Sequence, residues 1–454
     1  MLKEHSTSRA LRQKFFGTWP LAALIAPVLL LCGNAAWGDD GKGASRPPKV
    51  KVEPAVRLLT TIPIPTTDAA VSTAGALYSY DISWIDQGTQ LYYLADRSNN
   101  VIDVANAKNS TFVKQLAANP PFKGFVTTPA CTALGGSNCS GPNGVTVSGN
   151  FLFATDGGSR VVTINLASGA TVGDVVTQAN DPNRADELAF DPKDQKLLVI
   201  NNADATPFGT LIDVSATGAL SVAKTILFPF ATGGAEQPVW DPGTQRFYLS
   251  IPQVSGVPQL GAVLRINPIS GAIENMFAIA LCSPAGLTLN PSADELGVGC
   301  NTVFDTAGNV WSATDTNTAT PYFVILDATS GFIQAYVTGG GVGDEVWFNP
   351  GDGHYYGAFS GGPLAPAPAT VQGPATLGVI DASSQSLDQL VPTLNIPAVT
   401  TGPVASQHPA GTAHSVAANS KNNHVLVPLA ANNVFENCLQ GCIGVFGRSD
   451  NDKD

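Results

Sequence analysis

Asp186-Glu187-Leu188-Ala189-Phe190-Asp191-Pro192, followed by Leu197-Leu198-Val199-Ile200 and a polar stop at Asn201-Asn202, reads as an apolar strand, a turn carrying Asp-Pro, and a second apolar strand. The phrase returns as Glu236-Gln237-Pro238-Val239-Trp240-Asp241-Pro242 before Phe247-Tyr248-Leu249. It returns again as Asp344-Glu345-Val346-Trp347-Phe348-Asn349-Pro350 before Tyr355-Tyr356. Self-similarity at a period of roughly 40–50 residues marks a repeat architecture, and strands in place of helices make the repeats propeller blades.

Aligned on the turn residue after the first strand, the chain yields seven units, anchored at Asp86, Ser148, Asp191, Asp241, Asn290, Asn349 and Asn419. Each has a second and a third apolar strand, and five third strands run into turns that begin with Asn or Asp and end in Gly or Ser. Asx side chains close such turns on their own backbone and Gly supplies positive φ, so these are hairpin signals. A fourth strand follows in the first six units. The seventh lacks one, while an orphan strand stands at residues 56–63, ahead of the first unit. Letting that strand complete the last blade closes the ring and removes both open edges. The expected fold is therefore all-β, a seven-bladed β-propeller of four-stranded antiparallel blades closed by an N-terminal strand. Two β-sandwiches in tandem would explain neither the repeat nor the orphan strand.

Composition agrees. Among 454 residues, 46 Gly and 33 Pro with only 13% charged residues favour turn-rich β structure. A formal net charge of −12 argues against nucleic acid as a partner, because phosphate neutralisation needs clustered Lys and Arg. Cations, neutral ligands and basic ligands suit such a chain better.

The N-terminus reads as a Sec-type signal peptide over residues 1–38. Arg9, Arg12 and Lys14 precede an apolar run over 21–31, and Ala36-Trp37-Gly38 offers a small-x-small cleavage site. The run is too short for a confident membrane span, so no transmembrane segment is expected in the mature chain. A polar leader over 39–54, one propeller domain over 55–448 and a polar tail over 449–454 would follow, in a periplasmic or secreted protein. Of the seven cysteines, Cys32 leaves with the signal, and six in an exported chain imply disulfides. Spacing proposes Cys131 with Cys139, Cys438 with Cys442, and Cys282 with Cys300 across neighbouring units.

In a propeller the inner strands start together at one rim of the central channel. The position five residues before each anchor forms that ring: Asp81, Asn143, Asp186, Glu236, Ala285, Asp344 and His414. The next position adds Glu187, Gln237, Glu345 and Ser415. Four carboxylates in one ring repel unless a cation sits among them or some protonate. Hard oxygen donors without thiolate suit Ca²⁺ or Mg²⁺, making Asp81, Asp186, Glu236 and Asp344 the candidate metal ligands. Turn-satisfying Asp and Asn around a water-filled channel is the alternative. Asn143, Glu187, Glu345, Arg184 and Arg97 are the candidate ligand-binding residues, although the two arginines could simply pair with neighbouring carboxylates. If the protein is an enzyme, His414, Glu236 and Asp186 are its candidate acid/base groups. Longer connections after the second strands of later units (253–261, 302–321, 361–376 and 431–441) open on the same rim, as insertions gathered on a binding face do.

Tyr92-Tyr93-Leu94-Ala95-Asp96-Arg97-Ser98-Asn99-Asn100-Val101-Ile102-Asp103-Val104 resembles the YVTN-type β-propeller repeat, Tyr-Val-x-Asn, a loop, then Val-x-Val-Ile-Asp. Residues 197–202 with 211–214 match it a second time. Related propellers, the NHL-repeat and gluconolactonase-like groups, include lactone hydrolases, lyases and plain binding modules, so the resemblance speaks for architecture more than activity. Two functions follow: an exported propeller that binds a small polar ligand, a cation or a protein partner at its polar mouth, or a metal- or acid/base-dependent hydrolase of lactones or related esters. The chain carries no Gly-x-Ser-x-Gly, no phosphate loop, no Cys-x-x-Cys-His and no His-Glu-x-x-His. Neither haem nor nucleotide is therefore expected.

Overall fold

The computed structural model describes residues 53–65, 77–126, 128–129, 131, 137–311, 319, 321–340, 343–359, 375–394, 414–432 and 434–448. The expected signal peptide, most of the leader, the polar tail and most of the insertion over 361–376 lie outside them. Seven four-stranded antiparallel sheets follow one another along the chain. Their innermost strands are Tyr80–Asp86, Val145–Ser148, Leu188–Asp191, Pro238–Asp241, Cys282–Asn290, Gly343–Asn349 and Ala417–Asn419. Each ends on the expected anchor residue.

The anchors end strands because their side chains take the backbone into a turn. Asp86 Oδ1 accepts from Gly88 N at 3.0 Å, Asp191 from Lys193 N at 2.8 Å and Asn349 from Gly351 N at 3.1 Å. Four residues past the anchor the chain turns left-handed, at Gln90 (φ 58°), Gln195 (53°), Gln245 (55°), Asp294 (52°), Gly353 (71°) and Asn423 (57°). The outer hairpins repeat this geometry, with Asn165 Oδ1 on Ala167 N (3.0 Å) and Gly169 at φ 72°. The same local device recurs over most of one face of the ring; blade two instead makes a tighter turn, with Gly149 at φ 57° directly after Ser148.

The ring closes as the orphan strand implied. Arg57–Pro63 pairs antiparallel with Cys442–Gly447, Leu58 opposite Phe446 and Ile62 opposite Ile443, and becomes the outer strand of blade seven. Gln389 of blade six clamps Val56, accepting from its N at 2.8 Å and donating to its carbonyl at 2.7 Å. Among the described residues the apolar core divides into seven clusters, one at each interface between neighbouring blades. Tyr92 and Leu94 of blade one pack with Leu426 and Val445 of blade seven, so the last interface is as apolar as the others. Burial of these faces against neighbours drives the assembly.

Inner strands are also stitched sideways. Ile82 N donates to the Asn143 carbonyl (3.2 Å), Gly144 N to that of Asp186 (2.9 Å), and Ser83 N to Ser415 Oγ (2.8 Å). Such approach needs missing side chains: a Cβ on Gly286 would lie 1.9 Å from the Asp344 carbonyl oxygen, and one on Gly144 2.6 Å from that of Asp186.

The three expected cysteine pairs are joined. One placement is corrected: Cys282 and Cys300 do not bridge neighbouring blades. Both belong to blade five, on the adjacent strands Cys282–Asn290 and Glu295–Val303, where Pro284 lies opposite Cys300. These strands are nine residues long, which draws both cysteines into one sheet. All three bonds lie on the face where the inner strands begin. No helix among the described residues is long and apolar enough to cross a membrane.

Candidate functional site at the channel mouth

Because first strands start at one rim and second strands return to it, the ring column and the connections after second strands share a face. The ring there is an ion-pair network. Asp81 is buried and accepts from Arg97 Nη2 and from His414 Nε2 at 2.7 Å, with Arg184 Nη1 3.7 Å away. His414 Nδ1 donates to Asp344 Oδ2 at 2.8 Å, and Arg184 Nη2 donates to Asp186 Oδ2 at 2.7 Å. Arg97 Nε donates to Asn143 Oδ1 at 2.8 Å, while Asn143 Nδ2 reaches the Ala185 carbonyl at 2.8 Å. Blades one, two, three, six and seven are thereby joined through side chains. Arg97 and Arg184 both pair with neighbouring carboxylates.

The electrostatics follow from burial set against these pairs. Burial opposes ionisation of Asp81, but Arg97, His414 and Arg184 outweigh it and hold its carboxyl well below the ordinary range. Burial disfavours the His414 imidazolium, yet Asp344 and Asp81 outweigh it and hold the ring protonated well above its usual value. Burial raises Asp186 to about 6 against the pull of Arg184. Glu236 has no ion-pair partner among the described residues, and burial, helped by Asp186 and Asp344, pushes it to about 8.

Three of the four expected cation ligands, Asp81, Asp186 and Asp344, are thus engaged by side-chain cations. Among the described residues no group of three or more His, Cys, Asp or Glu is placed to hold a metal ion. Glu236 stands apart, on the wall of a hollow of about 270 Å³ shared with Gly233, Gln253, Ser283, Asn301 and Thr302. Four of its wall residues, Gln253, Pro258, Thr302 and Phe304, come from the expected insertions of blades four and five. Arg184 Nε is buried with no hydrogen-bond partner among the described residues.

Glu187 and Glu345 lie one step deeper than the ring. Both are buried, and burial followed by neighbouring carboxylates (Glu345 for Glu187, Asp344 for Glu345) raises both well above the ordinary range. Gln237 donates to Glu345 Oε2 at 2.6 Å across the channel. Below this layer opens a cavity of about 370 Å³ walled by Trp84, Trp240 and Trp347. Sequence reasoning passed over these tryptophans. Their signal was positional: three of the six in the chain fall one or two residues before an anchor.

No protein-family model matches the chain, and no curated protein matches it significantly. Among solved structures, one described as Kuenenia stuttgartiensis hydrazine synthase aligns with a TM-score of 0.57 at 13% identity, over 82% of this chain and 96% of that one. A Neurospora crassa Pan2 WD40 domain aligns with a TM-score of 0.53 at 11% identity, over 87% and 96%. At such identities the likeness is one of fold.

Proposed function

We propose that this is an exported propeller of the YVTN type that binds a small, hydroxyl-bearing polar ligand at the mouth of its central channel. The single observation that carries the reading is the pairing of a pre-organised ionic ring with two groups left over from it. Among the described residues, Arg184 Nε is a buried donor without an acceptor, and Glu236 is a carboxyl without an ion-pair partner. A buried unsatisfied donor is costly, and a ligand oxygen would relieve it. Glu236, carrying a proton at neutral pH, offers a donor to a neutral ligand where an ionised carboxylate would not. The disulfides agree with maturation in an oxidising, extracellular environment. The tested object is the mature chain against polyols, sugar acids and their lactones in calorimetry. Binding that weakens in Glu236→Gln and Arg184→Lys supports the reading; binding indifferent to both overturns it.

Lactone or ester hydrolysis is the second reading, favoured by the Glu236 proton affinity near neutrality, which suits a general acid or base. Both nitrogens of His414 are taken by carboxylates, so His414 fits the role of anchor better than that of base. A Ca²⁺ or Mg²⁺ ion at the ring would have to displace Arg184 or His414 from their carboxylates. Turnover of the same lactones, lost in Glu236→Gln and insensitive to chelator, would select metal-free hydrolysis; chelator sensitivity would restore the cation.

A further inference from the structure

The 370 Å³ cavity has the opposite character from the mouth. It runs from the layer of Glu187, Gln237 and Glu345 to the turn end of the inner strands, reaching Ser148 and Pro192. Four strand positions separate those limits, or about 13 Å at ~3.3 Å per residue. Its end nearer the ring is acidic, and its walls are Trp84, Trp347, Trp240 and Phe190 with aliphatic side chains between. Trp84 and Trp347 meet edge to face at 5.2 Å, which holds both rings in the wall.

Glu187 is 6% exposed, lines this cavity, and its Oε2 has no hydrogen-bond partner among the described residues. Such an oxygen, buried and unsatisfied, calls for a donor. Glu345 shares that end, with one oxygen held by Gln237. A carboxylate ligand would be repelled there. A neutral alcohol supplies one donor and no charge, so the two neighbouring carboxyls would keep the protons that burial and mutual repulsion hold on them. An ammonium supplies three donors and a charge, while aromatic faces attract cations and bury an apolar body.

We infer that the axial cavity is a second binding site, for a small primary amine with an apolar body, its ammonium on Glu187 and Glu345 and its ring or chain among the three tryptophans. The volume lies at the lower end of small-molecule sites, about 300–1,000 Å³, and fits a single-ring arylalkylamine. The site shares no lining residue with the hollow beside Glu236.

The test uses the mature chain, phenethylamine and its neutral counterpart 2-phenylethanol, read by tryptophan fluorescence. Phenethylamine should bind saturably and at least about tenfold more tightly than the alcohol, as a charge-assisted hydrogen bond implies. Glu187→Gln should erase that preference, bringing the two ligands within about threefold. Ala189→Leu, which fills the cavity wall and changes no charge, should weaken both ligands at least about tenfold, as lost cavity space implies. No saturable response, equal affinity for amine and alcohol, or a preference that survives Glu187→Gln would each overturn the inference. Circular dichroism and melting of each variant separate lost binding from lost fold.

Discussion

The two ends of the channel are built from different physics. At the mouth, three cations and their carboxylates are locked by direct pairs, the chain crosses from each blade to the next, and three disulfides staple the connections. At the other end there are hairpins, closed locally by Asp and Asn side chains, around an aromatic well. The mouth depends on contacts between residues whole blades apart, whereas most turns at the other end close within five residues, with a few polar bridges between neighbouring blades such as Asn349 Nδ2 to Asn423 Oδ1 at 3.1 Å. Damage to the mouth should therefore spread, and damage to a turn should stay local.

The largest expected effect comes from reduction. The disulfides close loops with sequence separations of 8, 18 and 4, and in the chain-entropy account such loops stabilise by about 2–3 kcal/mol each. Reduced protein should unfold at lower urea, and hydrogen exchange should accelerate first in the mouth connections while the turns 86–91 and 241–246 stay protected. Uniform loss of protection on both faces would break the contrast. Next in size is Arg97→Met. Removing one partner of a buried pair leaves Asp81 short of its compensating charge, at about 3–5 kcal/mol in urea denaturation. A loss below about 1 kcal/mol would mean that His414 and Arg184 suffice for Asp81 alone.

The pH dependence of stability separates the groups within the mouth. Glu236 and Asp186 have raised pKa values, so the folded state holds their protons more tightly than the unfolded chain does. Stability should then fall as pH climbs from the ordinary carboxyl range through about 6 and about 8. His414, also raised, adds stability that is complete at low pH and lost above its folded value. Asp81, held low, acts in the opposite sense and only in acid. Thermal melts should thus decline between pH 5 and 8.5, and Glu236→Gln should flatten that decline, leaving the midpoint at pH 5 nearly unchanged. An unchanged slope in the variant would show that Glu236 ionises normally.

What was legible in the sequence divides along the same line. The seven anchors were readable because each acts on its own next few residues, as Asp86 does on Gly88. The closing strand was readable because a vacancy and an orphan had to match. Counting back from an anchor placed Asp81, Asp186, Asp344 and His414 on one rim, since strand residues keep step across blades. The pairing within the ring was readable only in outline: Arg97 meets Asp81 inside blade one, where Tyr80 and Asp96 are paired, but Arg184 and His414 reach Asp81 from blades three and seven, and only the ring's closure sets them there. The aromatic well was missed for a related reason. Trp84, Trp240 and Trp347 each look like ordinary strand residues until three blades converge. Cys282 and Cys300 were assigned to different blades because the length of the blade-five strands is a tertiary outcome.

The smallest effect tests the locality of the turn end. Asp294 is exposed, sits at φ 52°, and makes no side-chain hydrogen bond among the described residues. An L residue in that region carries roughly 1–2 kcal/mol of steric cost, less for Asp than for bulkier types. Glycine removes the cost but gives the unfolded chain more freedom, which takes back about 0.5–1 kcal/mol. Asp294→Gly should therefore be neutral or stabilising by less than about 1 kcal/mol in urea denaturation. Asp294→Val, with a β-branched side chain at the same φ, should destabilise by about 1–2 kcal/mol. Both changes should leave amine binding in the channel and the pH slope of the mouth untouched, because the turn closes on its own backbone. A shift in either readout would show that the hairpins communicate with the ring, and the two ends of the channel would have to be treated as one system.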